Sequence, residues 1–116
     1  MDVKKFVFGS IQIDGVQYEH DIVIDRGKVS KRRKKASKKL RGSYGHSPLS
    51  LEEDIPWKCK RLVVGTGASG AMPVVQELQL EAKKRNIELV ILPTCKAIDL
   101  LQQNADSTNA ILHVTC

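Results

Sequence analysis

The sequence predicts a single-domain α/β fold from three observations. Two strand-like segments near the amino terminus flank Asp14-Gly15, a dipeptide typical of a two-residue hairpin turn. Further along, short apolar segments alternate with segments whose apolar residues recur at helical spacing. The length of 116 residues matches one domain, 1–116, with the order hairpin, basic loop at about 28–42, then β-α-β-α-β.

The amino-terminal strands are predicted over 6–13 and 16–24, with Gly9 marking a bulge or a close backbone approach. Asp25-Arg26-Gly27-Lys28 predicts a second turn, followed by a short strand near Val29. A long basic loop then continues to about residue 49.

The next predicted element is a short helix, because Ser50-Leu51-Glu52-Glu53 fits a capping box. A β-rich strand over 61–65 leads into a glycine turn. The following helix is predicted over 71–85, with Pro73 in its first turn and Asn86 as a left-handed stop.

The carboxyl-terminal part predicts a strand over 87–93, a helix over 95–103 capped by Thr94, and a last strand over 110–116. Near-continuous apolar strands joined by helices are typical of parallel pairing with right-handed crossovers. Helices are therefore expected on the faces of the sheet.

Composition excludes several classes of protein. With 41% hydrophobic residues the chain can form a core, and no apolar run approaches the ~18 residues of a spanning helix. The amino terminus has no signal-peptide pattern, so a soluble, cytoplasmic protein without membrane contact is expected. The three cysteines and three histidines form no zinc-ligand spacing, so we expect free thiols, no metal and no cofactor.

The net charge of +6 comes from one segment. Nine of the 19 basic residues lie between Lys28 and Arg41, and the rest of the chain carries ten basic against 13 acidic residues. Besides Lys28, the residues of this basic patch are Lys31, Arg32, Arg33, Lys34, Lys35, Lys38, Lys39 and Arg41. The patch is interpreted as a solvated loop or a docking strip for an acidic protein, ahead of sequence-independent nucleic-acid binding.

The glycine turn has the spacing G-x-G-x-x-G after an apolar strand. A dinucleotide site also needs an acidic residue at the end of the second strand, and a Walker loop needs Lys-Ser/Thr after the glycines; neither is present. A structural strand-to-helix turn is therefore favoured. Small-anion binding by the helix start stays open, and its candidate residues are Gly65, Thr66, Gly67, Ser69, Gly70, His46 and Ser47.

Two residues are weak catalytic candidates. Cys95, beside Lys96 at a predicted helix start, has the setting of a reactive thiol, although a half-buried structural residue is the more common outcome. His46 would face the glycine turn if its loop folds over the strand ends, although a loop His is more often structural. His113 in the last strand is expected to be packed or partnered.

Five short motifs, in this order, resemble the Mth-domain family: Phe8-Gly9-Ser10, His46-Ser47-Pro48, Val63-Val64-Gly65-x-Gly67, Leu92-Pro93-Thr94 and His113-x-Thr115-Cys116. That family includes the adipogenesis-associated Mth-domain-containing protein and a mitochondrial complex I assembly factor. The resemblance implies a three-layer α/β fold with a mixed central sheet, and members that act as assembly or regulatory partners. The dense basic patch departs from the eukaryotic members, which are richer in Trp there.

Because no catalytic constellation is complete, the sequence favours a non-enzymatic protein-interaction, assembly or regulatory factor. One alternative is a small-anion or small-ligand binding protein, or an enzyme, that uses the glycine-turn crevice. A second alternative is non-specific nucleic-acid binding through the basic loop.

Overall fold

Apolar strands alternate with amphipathic helices in a computed structural model of the chain. The structure describes residues 3–35, 37 and 48–115. The strands are β1 (Val3–Val7), β2 (Ser10–Ile13), β3 (Val16–Tyr18), β4 (Ile22–Asp25), β5 (Lys28–Lys31), β6 (Arg61–Gly65), β7 (Glu88–Leu92) and β8 (Thr108–Leu112). The helices are α1 (Gln76–Lys84) and α2 (Thr94–Gln103).

The strands form two sheets. β1, β2 and β3 make an antiparallel three-stranded sheet, and the other five strands lie in the order β5-β4-β8-β6-β7. β6 pairs in parallel with β7 and β8, whereas β4 is antiparallel to β5 and β8. The predicted parallel β-α-β-α-β unit is confirmed, and the larger sheet is mixed.

The amino-terminal strands are shorter than predicted. The run 6–13 breaks at Phe8-Gly9, where Gly9 has a φ of 87° and the chain turns back to pair Val7 with Ser10. The run 16–24 breaks before Asp21, so its two halves join different sheets. The hairpin turn at Asp14-Gly15 is confirmed, with φ values of 49° and 81°.

Two helix predictions need correction. Residues 71–75 are extended because Leu49 bonds with both Pro73 and Val75, so α1 begins only at Gln76. The helix predicted after Ser50 is a turn. Its Glu53 carboxylate, instead of reaching back to cap a helix, bonds with Arg32 from 21 residues earlier.

The ends of α1 and α2 follow local chemistry. Glu77 in the first turn of α1 and Lys83 and Lys84 in its last turn suit the helix dipole. Asn86 follows with a φ of 57°, so the predicted left-handed stop is confirmed. The predicted cap of α2 is wrong, since Pro93 occupies that position and no side chain caps the helix.

The core lies on both faces of the five-stranded sheet because side chains alternate along β6 and β8. α2 and the three-stranded sheet cover one face, and α1 with the segment around Leu49 covers the other. The first face buries Val3, Ile11, Ile13, Ile22, Ile24, Val63, Ala97, Ile98, Leu101, Ala110, Leu112 and Val114. The second buries Leu49, Leu62, Val64, Met72, Val75, Leu78, Ala82, Ile87 and Ile111. The fold therefore has the three layers that the resemblance implies.

Among the described residues, neither helix combines the length and the apolar character needed to cross a bilayer.

Candidate functional site

The carboxyl ends of the parallel strands bring distant sequence motifs together. We call this region the carboxyl edge and define it as residue 65, the last of β6, with residues 66–70, 93–94 and 113–115, which follow β6, β7 and β8. The hairpin tip at Gly9 joins it, since the Gly9 amide donates to the Val114 carbonyl at 2.6 Å. In open α/β sheets this end is the usual position of a ligand.

Thr94 ties the three segments of the carboxyl edge together. Its buried hydroxyl donates to the His113 carbonyl at 2.6 Å and accepts the Gly67 amide at 2.8 Å. The Thr94 amide donates in turn to the Gly67 carbonyl at 3.0 Å. The role of Thr94 is therefore to fix the edge.

Backbone amides of the glycine turn donate hydrogen bonds to other groups of the protein. The amides of Thr66, Ala68 and Gly70 donate to backbone carbonyls, and that of Gly67 donates to Thr94. A Cβ at Gly65 would lie 2.9 Å from a Leu112 methyl group, so this glycine permits close packing. The geometry supports the structural interpretation of the turn, and anion binding by Thr66, Ser69 and the glycines stays a prediction.

A buried ion cluster, formed by Arg32, Glu53 and Asp21, lies between the basic patch and the carboxyl edge. Arg32 is 3% exposed and donates from Nε and Nη2 to the two Glu53 carboxylate oxygens at 2.7 and 2.8 Å. Its Nη1 donates to Asp21 Oδ2 at 2.9 Å, and its Nη2 also donates to the Pro48 carbonyl. Ser37 donates to Glu53 at 2.6 Å.

This cluster corrects the prediction for Arg32, which was grouped with the solvent-facing cations. Burial acts to lower the pKa of Arg32, but the hydrogen bond and charge of Glu53 and those of Asp21 outweigh it and raise that pKa. The guanidinium is thus a fixed, paired charge and contributes nothing to the exposed basic surface.

Asp21 links the ion cluster to the carboxyl edge. Its Oδ2 also lies 2.8 Å from His113 Nδ1, and its Oδ1 accepts the Val114 amide at 3.0 Å. Burial acts to raise the pKa of Asp21, but the His113 hydrogen bond and charge, the Val114 amide and Arg32 together lower it to about 2. Asp21 is therefore an ionised carboxylate held by three donors, and the expectation that His113 is partnered is confirmed.

The rest of the basic patch starts on an outer strand of the sheet. Among the described strands, β5 pairs only with β4, and it exposes Lys28 and Lys31. Arg33, Lys34 and Lys35 follow and are exposed. We call β5 together with these three residues the basic edge.

A groove of about 900 Å³ runs beside the basic edge, lined by Ser30, residues 31–35 and residues 52–54. Its described lining includes four exposed cations and two exposed carboxylates, and Arg32 is paired with Glu53. The groove therefore carries a positive excess. The predicted basic residues Lys38, Lys39 and Arg41 lie outside the described residues.

The remaining candidates are placed only in part. Cys95 is exposed on the first turn of α2, and its reactivity stays a prediction. His46 and Ser47 lie outside the described residues. Within the described chain, no group of three or more His, Cys, Asp or Glu side chains could hold a metal.

Asp21, Glu53 and Thr115 were missed as site residues. Asp21 opens an apolar strand, where a carboxylate needs a partner, and His113-x-Thr115 lies within a motif used for the resemblance. The sequence therefore contained a signal for Asp21 and one for Thr115. The pairing of Asp21 with His113 across 92 residues had no such signal, because it depends on β8 lying beside β4.

Comparison with known proteins agrees with this fold. A family model described as "Protein of unknown function (DUF498/DUF598)" matches residues 3–111. No curated protein matches the chain.

Three solved structures are similar over nearly the whole chain. The conserved hypothetical protein PH1505 from Pyrococcus horikoshii OT3 is 31% identical, with a TM-score of 0.81 and full coverage of both chains. A protein titled MT938 is 27% identical, with a TM-score of 0.68 and coverage of 98% of this chain and 97% of the other. A protein from Bordetella pertussis, titled a Mth938-like domain, is 16% identical, with a TM-score of 0.54 and coverage of 97% and 84%. The resemblance to the Mth-domain family is confirmed.

Proposed function

The chain belongs to the DUF498/DUF598 family of proteins of unknown function, and from that premise we propose that it is a protein-interaction or assembly factor. Its partner is a protein that presents an acidic segment. That segment docks along the basic edge and into the adjoining groove.

The observation that carries this proposal is that β5 presents exposed lysine side chains and, among the described strands, an unpaired side of its backbone. β5 ends the order of the five-stranded sheet, so one side of its backbone is not paired with any other described strand of that sheet. An added strand can bond to such an edge, while side-chain pockets and charges supply selectivity. Exposed Lys28 and Lys31 repel a second copy of β5, but they attract a carboxylate-rich strand.

The groove supports a protein ligand ahead of a nucleic acid. Glu52 and Asp54 also line it, and their charges would repel a phosphate backbone. The described residues that line the groove also include no aromatic side chain on which a base could stack. A peptide can instead pair its own mixed polar groups with both signs of charge.

The test is a binding titration of the full chain with a fluorescent oligoglutamate peptide and with duplex DNA. In the test variant, Lys31, Arg33 and Lys34 are changed to Gln. The matched control changes Lys58, Lys83 and Lys84 to Gln, which removes the same charge from exposed positions elsewhere.

We expect the test variant to bind the peptide roughly tenfold more weakly, since three exposed ion pairs contribute about 0.5 kcal/mol each. The control variant should bind like the unchanged protein. Equal weakening of both variants would contradict the proposed location. Tighter, sequence-independent binding to DNA, with a steep salt dependence, would favour the nucleic-acid alternative.

A further inference from the structure

A relay of three side chains reaches from the buried ion cluster to the carboxyl edge. His113 Nδ1 lies 2.8 Å from Asp21 Oδ2, and His113 Nε2 lies 3.1 Å from the Thr115 hydroxyl oxygen. We call Asp21, His113 and Thr115 the hydroxyl relay. The acid, imidazole and hydroxyl stand in the order that activates a nucleophile in hydrolases of several unrelated folds.

The surroundings of Asp21 fix the imidazole tautomer. An ionised carboxylate only accepts hydrogen bonds, so Nδ1 of His113 carries the proton that bonds to it. In the neutral ring, Nε2 then keeps its lone pair and accepts the Thr115 hydroxyl proton. Arg32 Nη1 also donates to Oδ2 and the Val114 amide donates to Oδ1, so the carboxylate has a single orientation.

The backbone around Thr115 is fixed as well. The Gly9 amide bonds to the Val114 carbonyl at 2.6 Å, and the Ala68 amide bonds to the Thr115 carbonyl at 2.7 Å. Thr115 is partly exposed, and the His113 side chain is 12% exposed. The relay thus ends in a positioned hydroxyl that a small molecule can reach.

We propose that Thr115 accepts acyl groups from small activated carboxylic esters, with His113 as general base. The Thr115 oxygen attacks the acyl carbon while its proton moves to His113 Nε2. The bond from the acyl carbon to the leaving oxygen then breaks, and that oxygen takes the proton from Nε2. Water hydrolyses the resulting threonyl ester by the same steps and releases the carboxylic acid.

The hairpin tip indicates the kind of acyl group. Phe8 is 67% exposed and directly precedes Gly9, which is bonded to the Thr115-bearing segment. A short apolar acyl chain can lie against such an exposed ring. This inference is independent of the proposed docking at the basic edge, which lies on β5.

The probe is p-nitrophenyl acetate, with the full chain in a Cys116→Ala background so that the neighbouring thiol takes no acetyl group. Peptide mass spectrometry locates the acetyl group, and nitrophenolate release gives the rate. Thr115→Val removes the hydroxyl, Thr115→Ser restores one, and His113→Gln removes the base. Ser107→Gly is the matched control, because it removes an exposed hydroxyl where a backbone φ of 52° suits glycine.

We expect acetyl on Thr115, no acetyl at position 115 in Thr115→Val, and a loss of at least ~100-fold in the acetylation rate of Thr115 in His113→Gln. Thr115→Ser and Ser107→Gly should keep measurable acetylation at position 115. Asp21 is a positioning residue, so Asp21→Asn should lower the maximal rate and leave the half-saturating ester concentration unchanged. Circular dichroism confirms that each variant is folded before its rate is compared.

Two results would overturn the proposal. One is acetylation confined to lysines or to other thiols, with Thr115 unmodified. The other is a folded Thr115→Val variant that releases nitrophenolate as fast as the parent protein.

Discussion

Replacing Arg32 with Ala should destabilise the fold far more than the loss of one surface charge. Arg32 donates two hydrogen bonds to Glu53, one to Asp21 and one to the Pro48 carbonyl. Its removal leaves two carboxylates that are only 3% and 4% exposed without their cation. Breaking a buried pair in this way costs about 3–5 kcal/mol, because the remaining charge stays desolvated.

The effect is large compared with the stability of a domain of this size. Domains typically have an unfolding free energy of about 5–15 kcal/mol, so the Arg32→Ala variant keeps only part of the unfolding free energy of the unchanged protein. With a urea slope of about 1.5 kcal/mol/M, the midpoint of unfolding should fall by about 2–3 M. Urea titration followed by circular dichroism gives this midpoint directly.

The neighbouring cation provides the control. Arg33 is exposed, so Arg33→Ala should change the unfolding free energy by no more than about 0.5 kcal/mol. If Arg32→Ala also cost less than about 1 kcal/mol, the value of a surface pair, the buried ion cluster would not exist as described.

Two further predictions concern the residues that join the cluster to the carboxyl edge. Because the pKa of Asp21 is lowered from 3.8 to about 2, its ionised form contributes about 2 kcal/mol of stability. That contribution is complete above about pH 4 and disappears as the pH falls toward 2. The difference in urea midpoint between the unchanged protein and Asp21→Asn should therefore shrink over this range, and a constant difference would refute it. Thr94→Val should cost about 1–3 kcal/mol by leaving the Gly67 amide and the His113 carbonyl without a partner. Thr94→Ser, which keeps the hydroxyl, should lose less than half of that in the same urea titration, and equal losses would contradict the role of the hydroxyl.

Local sequence signals predicted the strands and turns best where neighbouring residues decide the outcome. Asp14-Gly15 and Arg26-Gly27 adopt left-handed conformations that few other pairs favour, and both turns stand where predicted. The apolar run of β6 likewise follows from burial on both faces, whereas the last strand, predicted over 110–116, is β8 over Thr108–Leu112.

The two corrected helix predictions share one cause, a distant partner that overrides a local preference. Ser50 to Glu53 has the spacing of a capping box, but Arg32 binds the Glu53 carboxylate. Residues 71–75 have helical periodicity, but Leu49 holds them extended. Composition and periodicity carry no information about such partners.

The candidate site likewise has features that the local sequence predicts and features that depend on distant partners. Exposed cations at 31 and 33–35 were predicted from composition, because a dense run of like charge stays in solvent. The inward turn of Arg32 depends on two acids, Asp21 and Glu53, which lie 11 and 21 residues away. The hydroxyl relay likewise needs the pairing of β4 with β8, which only the folded sheet provides.

Docking of an acidic partner at the basic edge can be observed residue by residue with nuclear magnetic resonance. The oligoglutamate peptide is titrated into the labelled protein, and the amide shifts of β5 are compared with those of β7, the strand at the opposite end of the sheet order. We predict that the amide signals of residues 28–31 and 33–35 move together and saturate, while those of Glu88–Leu92 do not change. Equal movement of both strands, or movement confined to residues outside the basic edge, would contradict docking at this site.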